Sequence, residues 1–208
     1  MIKRLSLLLL FTLLPLAAAD DGWTPLFNGK DLTGWKANEN VETFTVQDGA
    51  IVARGRPSHL FYVGDFQNHS FKDFELSVDL MTRPRANGGI YIQTEFQDSG
   101  WPGKGFEVQV NNSFPGDTRK TGSLYEVQDV TADLVKDDEW FNETVTVKGD
   151  TITVSVNGKQ VVSWTQPADW AGTSGFSGRR IGPGTLALQG HDPGSTVYYK
   201  NIRIRPLK

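Results

Sequence analysis

Residues 74–81, FELSVDLM, carry an apolar side chain at every second position: Phe74, Leu76, Val78 and Leu80, with Glu75, Ser77 and Asp79 between them. A period of two describes a strand with one buried face, and no helix satisfies it. The same alternation returns at Phe44 and Val46, at Ile90 and Ile92, at Phe106, Val108 and Val110, and at Leu186 and Leu188. Asn28-Gly29, Asp48-Gly49, Gly149-Asp150 and Asn157-Gly158 fall between such segments as turn signals. A helical period of useful length appears nowhere after residue 20. About a dozen short strands in one chain predict an all-β fold, a two-sheet antiparallel sandwich of the jelly-roll kind.

The N-terminus, MIKRLSLLLLFTLLPLAAADDG, has Lys3 and Arg4 ahead of an apolar run and small residues at Ala17 and Ala19. This is the pattern of a secretory signal peptide over residues 1–19, too short for a spanning helix. The expectation is a single domain over residues 20–208, secreted or periplasmic, with no membrane insertion after cleavage. No cysteine occurs among the 208 residues, so the domain is held by its core and thiol chemistry is excluded. A net charge of -3 without clustered Lys and Arg argues against nucleic acid as a partner.

In chain order, residues 42–53 read as a hairpin and residues 60–63 as a short strand. Residues 111–139, rich in Gly, Asp and Asn, form a long connection of the sort that is often functional. Residues 141–148, 151–156 and 161–164 read as a meander, and residues 167–183 as a glycine-rich loop. In the closing segment the apolar phase slips between Tyr199 and Ile202, which predicts a β-bulge near Lys200-Asn201.

Four strands place polar side chains opposite their apolar face: Glu75, Ser77 and Asp79; Tyr91 and Gln93; Glu107 and Gln109; Gln189 and His191. A solvated outer face would look the same. The meander, however, uses Thr, Ser and Lys on its polar face, whereas these four use carboxylates, amides, a phenol and an imidazole. If the four are neighbours in one sheet, they form a face suited to a sugar, whose hydroxyls need paired donors and acceptors.

Other constellations point nowhere firm. His59 and His69 fall in turn regions and read as solvated. No GxSxG elbow supports a Ser-His-Asp triad, Gly88-Gly89 precedes a strand rather than a helix, and the aspartates of residues 117–138 lack calcium-loop spacing.

Residues 22–35 (GWTPLFNGKDLTGW), Asn87-Gly88-Gly89-Ile90-Tyr91, Phe106-Glu107-Val108-Gln109-Val110, Gly122-Ser123-Leu124-Tyr125, Leu188-Gln189-Gly190-His191 and Lys200-Asn201-Ile202-Arg203-Ile204 together resemble the 3-keto-disaccharide hydrolase family. The resemblance covers essentially the whole chain after residue 20. It implies a concanavalin A-like jelly roll, bacterial export and cleavage of glycosides oxidised at C3. Asn87, Tyr91, Glu107, Gln109, Gln189 and His191 match its motifs, and Asp79, Gln93 and Tyr125 complete the expected substrate-contacting set. Two departures stand out: Asn-Gly-Gly-Ile where Asn-Ser-Gly-Ile is usual, and Phe141 between Trp140 and Asn142.

The implied chemistry is removal of the C2 proton, made acidic by the C3 carbonyl, with expulsion of the C1 substituent and rehydration. It needs an acid/base pair, read as Glu107 and His191 with the roles open, and donors at the C3 oxygen. The sequence identifies no definite cofactor. A divalent cation on Glu107, His191 and Asp79 is the alternative way to stabilise the enolate. The rival reading is a non-catalytic, lectin-like carbohydrate-binding module on the same sandwich.

Overall fold

The structure, a computed structural model, describes residues 22–173 and 175–208. The signal peptide expected over residues 1–19 lies outside them. The alternating segments form β1 (Thr24–Pro25), β2 (Trp35–Ala37), β3 (Phe44–Gln47), β4 (Ala50–Ala53), β5 (Ser58–Tyr62), β6 (Phe74–Thr82) and β7 (Gly88–Thr94). They continue with β8 (Phe106–Val110), β9 (Phe141–Lys148), β10 (Thr151–Val156), β11 (Lys159–Thr165), β12 (Thr185–Gly190) and β13 (Val197–Pro206). Asp48 and Asn157 take positive φ before Gly49 and Gly158, as tight hairpins require.

Two antiparallel sheets face one another. The larger runs β11-β10-β9-β6-β13-β4-β3, with β1 paired to β13; the smaller runs β2-β5-β12-β7-β8. Leu76, Val78, Leu80, Val145, Val147, Ile202 and Ile204 of the larger sheet meet Leu60, Ile90, Ile92, Phe106, Val108 and Leu188 of the smaller in a single core. The expected bulge exists: β13 slips register against β6 between Lys200 and Arg203, with Asn201 at φ 50°.

The two sheets differ in their outer faces. Strands β9 and β10 alternate buried with partly exposed residues, the mark of a wet face, whereas every residue of β5, β7, β8 and β12 is buried. Loops cover the smaller sheet on its far side. Residues 121–125 hydrogen-bond along the free edge of β8, with Gln109 N to Ser123 O at 2.9 Å and Tyr125 N to Glu107 O at 2.9 Å. This both closes an exposed edge and buries the polar face beneath it.

The topology corrects one expectation at once. Strand β6 lies in the larger sheet between β9 and β13, so Asp79 does not join the polar face of β7, β8 and β12. Its carboxylate accepts from Asn142 Nδ2 at 2.8 Å and Asn201 Nδ2 at 2.6 Å, on the outer side of the other sheet. The three-ligand cation set of Glu107, His191 and Asp79 is therefore not assembled. Among the described residues no group of three His, Asp or Glu side chains is placed to hold a metal ion.

Candidate active site

Register brings the remaining residues together. Tyr91 pairs with Glu107 and Gly89 with Gln109 across β7 and β8; Ala187 pairs with Tyr91, and Gln189 with His59, on the other side. Because side chains alternate, Tyr91, Glu107, Gln109, Gln189 and His59 all project from the face away from the core. Asn87, Tyr91, Trp101, Glu107, Gln109, Asp117, Tyr125, Phe176, Gln189 and His191 line a cavity of about 240 Å³ above that face. A larger cleft of about 370 Å³ opens on the outer side of the other sheet, but its carboxylate, Asp79, is committed to the two asparagines.

Glu107 is buried at the floor. Its Oε2 accepts from Tyr91 Oη at 2.8 Å and its Oε1 from Gln189 Nε2 at 2.7 Å. Burial raises its pKa above the ordinary 4.5, against the opposing pull of Tyr91, the Arg179 charge and Gln189. Burial and the Glu107 charge in turn push the Tyr91 phenol well above its ordinary value, so it stays a donor. The close approach depends on glycine. A Cβ at Gly89 would stand 2.6 Å from Glu107 Oε1 and 3.0 Å from its Cγ.

His191 follows the last residue of β12, and its Nδ1 lies 2.7 Å from Asp192 Oδ2. Partial burial disfavours the Asp192 charge, but hydrogen bonds from Ser195 Oγ, His191 and Gly194 N outweigh it and hold the carboxyl below its ordinary range. An ionised Asp192 fixes Nδ1 as the protonated nitrogen and leaves Nε2 with a free lone pair. Ser195 Oγ also accepts from Asn87 N at 2.9 Å, which ties the His191 turn to the start of β7. Gln109 Nε2 donates to Asn87 Oδ1 at 2.9 Å and so orients that amide.

Aromatic rings wall the cavity. Trp101, 44% exposed, packs 5.5 Å from His191, and Phe114 packs 5.7 Å from the same ring. Tyr125, from the long loop, lies under the guanidinium groups of Arg119 at 4.5 Å and Arg179 at 5.2 Å. Arg119 in turn pairs with Asp117 at 3.2 Å.

Six expected residues with Tyr125 thus converge: Asn87, Tyr91, Glu107, Gln109, Gln189 and His191. Gln93 does not. Its backbone turns to φ 53°, and its amide bonds to Lys72 O at 2.8 Å and Gly182 N at 3.3 Å, away from the cavity. The alternation that carries Tyr91 outward is broken two residues later by a register slip against β12. His59 is the opposite case. Expected in a solvated turn, it is 1% exposed on β5, its ring 5.2 Å from Tyr91 and 5.1 Å from Trp101. The signal that could have found it is the alternation of residues 58–62, in which Leu60 and Tyr62 face the core. Burial, with the His191 charge adding to it, pulls His59 down to about 3, so the ring is neutral. Arg179, also missed, is a buried cation on the glycine-rich loop, and only the folding of that loop brings it near Glu107.

The two departures from the family pattern sit outside the cavity. A Cβ at Gly88 would face the core, 3.0 Å from Val197 Cγ2 and 3.1 Å from Tyr199 Oη, and Phe141 is a buried core residue opening β9.

Residues 22–205 match the family model described as the 3-keto-alpha-glucoside-1,2-lyase-like domain. A protein of Bacteroides thetaiotaomicron named 3-keto-disaccharide hydrolase is 25% identical over 231 aligned positions, covering 90% of this chain and 79% of its own length. The crystal structure of a candidate glycosyl hydrolase of Parabacteroides distasonis superposes with a TM-score of 0.77 at 26% identity, covering 90% of this chain and 94% of that one. A carbohydrate-binding module of Bacillus subtilis shares the fold at a TM-score of 0.55 and 13% identity, covering 83% and 95% of the two chains.

Proposed function

The chain belongs to the 3-keto-alpha-glucoside-1,2-lyase-like domain family, and on that premise we propose that it cleaves 3-keto-glycosides, with His191 as base and Glu107 as acid. The observation that carries this reading is that a buried carboxyl on β8 and an Asp-oriented imidazole in the turn after β12 line one cavity. Binding alone requires neither.

His191 Nε2 takes the C2 proton, and the electron pair passes to the C3 oxygen as an enolate. The enolate re-forms the C3 carbonyl, a C1–C2 double bond appears and the C1–O bond breaks. Glu107, whose carboxyl burial favours in its protonated form, gives that proton to the departing oxygen. Water then adds at C1, the Glu107 carboxylate takes its proton and the imidazolium returns the first proton to C2, so the sum is hydrolysis. The Asn87 amide, held through its Oδ1 by Gln109, has its Nδ2 to offer the enolate oxygen. Trp101 and Tyr125 supply flat apolar surface for the sugar rings.

The leader read in residues 1–19 supports export, to the periplasm or beyond. An N-terminus near Asp20 on the protein recovered outside the cytoplasm would agree with it; an intact Met1 would oppose it.

The test of activity is incubation of the purified chain with a 3-keto-disaccharide and with the unoxidised disaccharide. Cleavage of the first alone is expected, with Glu107→Gln and His191→Ala each reducing it by about 10² or more. Full activity in either variant overturns the roles given. Equilibrium binding of the unoxidised sugar with no product from the keto sugar would mark a carbohydrate-binding module instead.

A further inference from the structure

His59 has no use in the chemistry above, yet it occupies a place where a phenylalanine would pack at lower cost. Its ring is buried and neither ring nitrogen has a hydrogen-bond partner. A neutral imidazole carries one N–H donor and one acceptor nitrogen, so whichever tautomer forms, a donor is left unpaired. A buried unmade hydrogen bond is expensive, so one that lies beside a cavity invites a group that completes it.

The completing group is indicated by the neighbour. Gln189 stands directly across from His59 in the β12–β5 register, and both side chains leave the same face. The Gln189 amide spends its Nε2 on Glu107 at 2.7 Å, and its Oε1 is buried without a donor. An orphaned acceptor thus stands beside an orphaned donor. The chemical complement of that pair is a hydroxyl, which donates once and accepts in turn.

Trp101 roofs the pair. Its ring packs edge-on to His59 at 5.1 Å and against His191 at 5.5 Å, and its indole N–H makes no hydrogen bond among the described residues. The loop under it is held by other groups, through Gln97 to Ser99 O at 2.6 Å and to Gly103 N at 3.0 Å, and through Glu39 to Gly100 N at 3.0 Å. The indole can therefore rotate without unmaking its loop. The subsite requires that rotation, because the His59 ring is 1% exposed beneath the indole.

We propose that His59 and Gln189 form a hydroxyl-recognising subsite beneath Trp101, in which one ligand hydroxyl donates to Gln189 Oε1 and accepts from a His59 ring N–H. The subsite rests on the sugar-binding part of the reading above and not on its cleavage chemistry or acid/base roles. It makes His59 a specificity residue rather than a catalytic one.

The test uses methyl 3-keto-α-D-glucoside and methyl α-D-glucoside, each with its monodeoxy analogues, against the wild type, His59→Phe and His59→Gln. The phenylalanine fills the same space without polar atoms. It is expected to weaken binding of the parent sugar about tenfold with kcat nearly unchanged. One deoxy analogue should bind the wild type and His59→Phe alike, and His59→Gln, which keeps an N–H, should recover part of the loss. A uniform loss across all analogues means a packing role and overturns the subsite, as does no loss at all. A wild type that binds the unoxidised series but turns over no keto sugar refutes the enzymatic reading and leaves the subsite measurable. A wild type that binds neither series overturns both.

Discussion

Glu143→Gln tests the electrostatics of the core at a position on the other sheet from the proposed chemistry. Glu143 lies on the inner face of β9 in line with Phe141, Val145 and Val147, fully buried, and neither carboxylate oxygen has a partner. Burial pushes it from the ordinary 4.5 up to about 8. At neutral pH the folded protein thus holds a proton that the unfolded chain releases. The sign follows from linkage: a carboxyl raised on folding costs nothing below pH 4.5, and its penalty grows as pH rises until the folded group itself ionises near 8. Each pH unit in that window is worth about 1.4 kcal/mol, which makes the penalty about 3 kcal/mol at pH 7 and about 5 above pH 8. Glutamine has the shape of the protonated acid and no charge to acquire. The variant should match the wild type near pH 4.5 and exceed it by about 3 kcal/mol at pH 7, roughly 6–12 °C in Tm for a domain of this size. Urea unfolding at pH 4.5, 7 and 9 at constant ionic strength reads the gap directly. A gap that does not change with pH, or that widens toward acid, would refute the account of Glu143 as a protonated core residue.

Asp192→Asn should lower kcat about 10–10³-fold with KM little changed, because the amide no longer fixes Nδ1 as the protonated nitrogen of His191; steady-state kinetics on a 3-keto-glycoside measure it. Tyr91→Phe removes a hydrogen bond that favours the Glu107 carboxylate, so Glu107 should hold its proton to higher pH. Activity that needs that proton then falls off at higher pH than in the wild type, and a descending limb that moves to lower pH would refute the acid role. Gly89→Ala should displace Glu107 and cost about 1–3 kcal/mol of stability, with activity falling well beyond what the unfolded fraction explains. Asp79→Ala, on the other sheet, should leave turnover at the wild-type rate.

The placement of each residue explains what could be foreseen. Glu107 and Gln109 were assignable because alternation within residues 106–110 is a local property of one strand, and a strand keeps its pleat wherever it is placed. The hairpin at Asp48-Gly49 and the bulge at Asn201 were legible for the same reason: turn chemistry and a slipped period are written in adjacent residues. Asp79 was misplaced because its own alternation, however regular, carries no information about which strands flank it. Gln93 failed at a positive-φ twist beside the register slip between β7 and β12, and His59 was hidden because Phe61 on the same outward face makes residues 60–62 an unbroken apolar run.

By itself the sequence determined the strands, their turns, the side of each strand that faces the core and the family motif residues, since these depend on neighbours a few positions away. Only the tertiary structure decided that β5, β7, β8 and β12 share a sheet while β6 joins the other. It also decided that loops 111–139 and 167–183 bury a polar face that alternation alone would leave to solvent. Those outcomes come from contacts between residues tens of positions apart, Glu107 with Gln189 and His59 with Trp101 among them, and such contacts exist only once the sheets have packed.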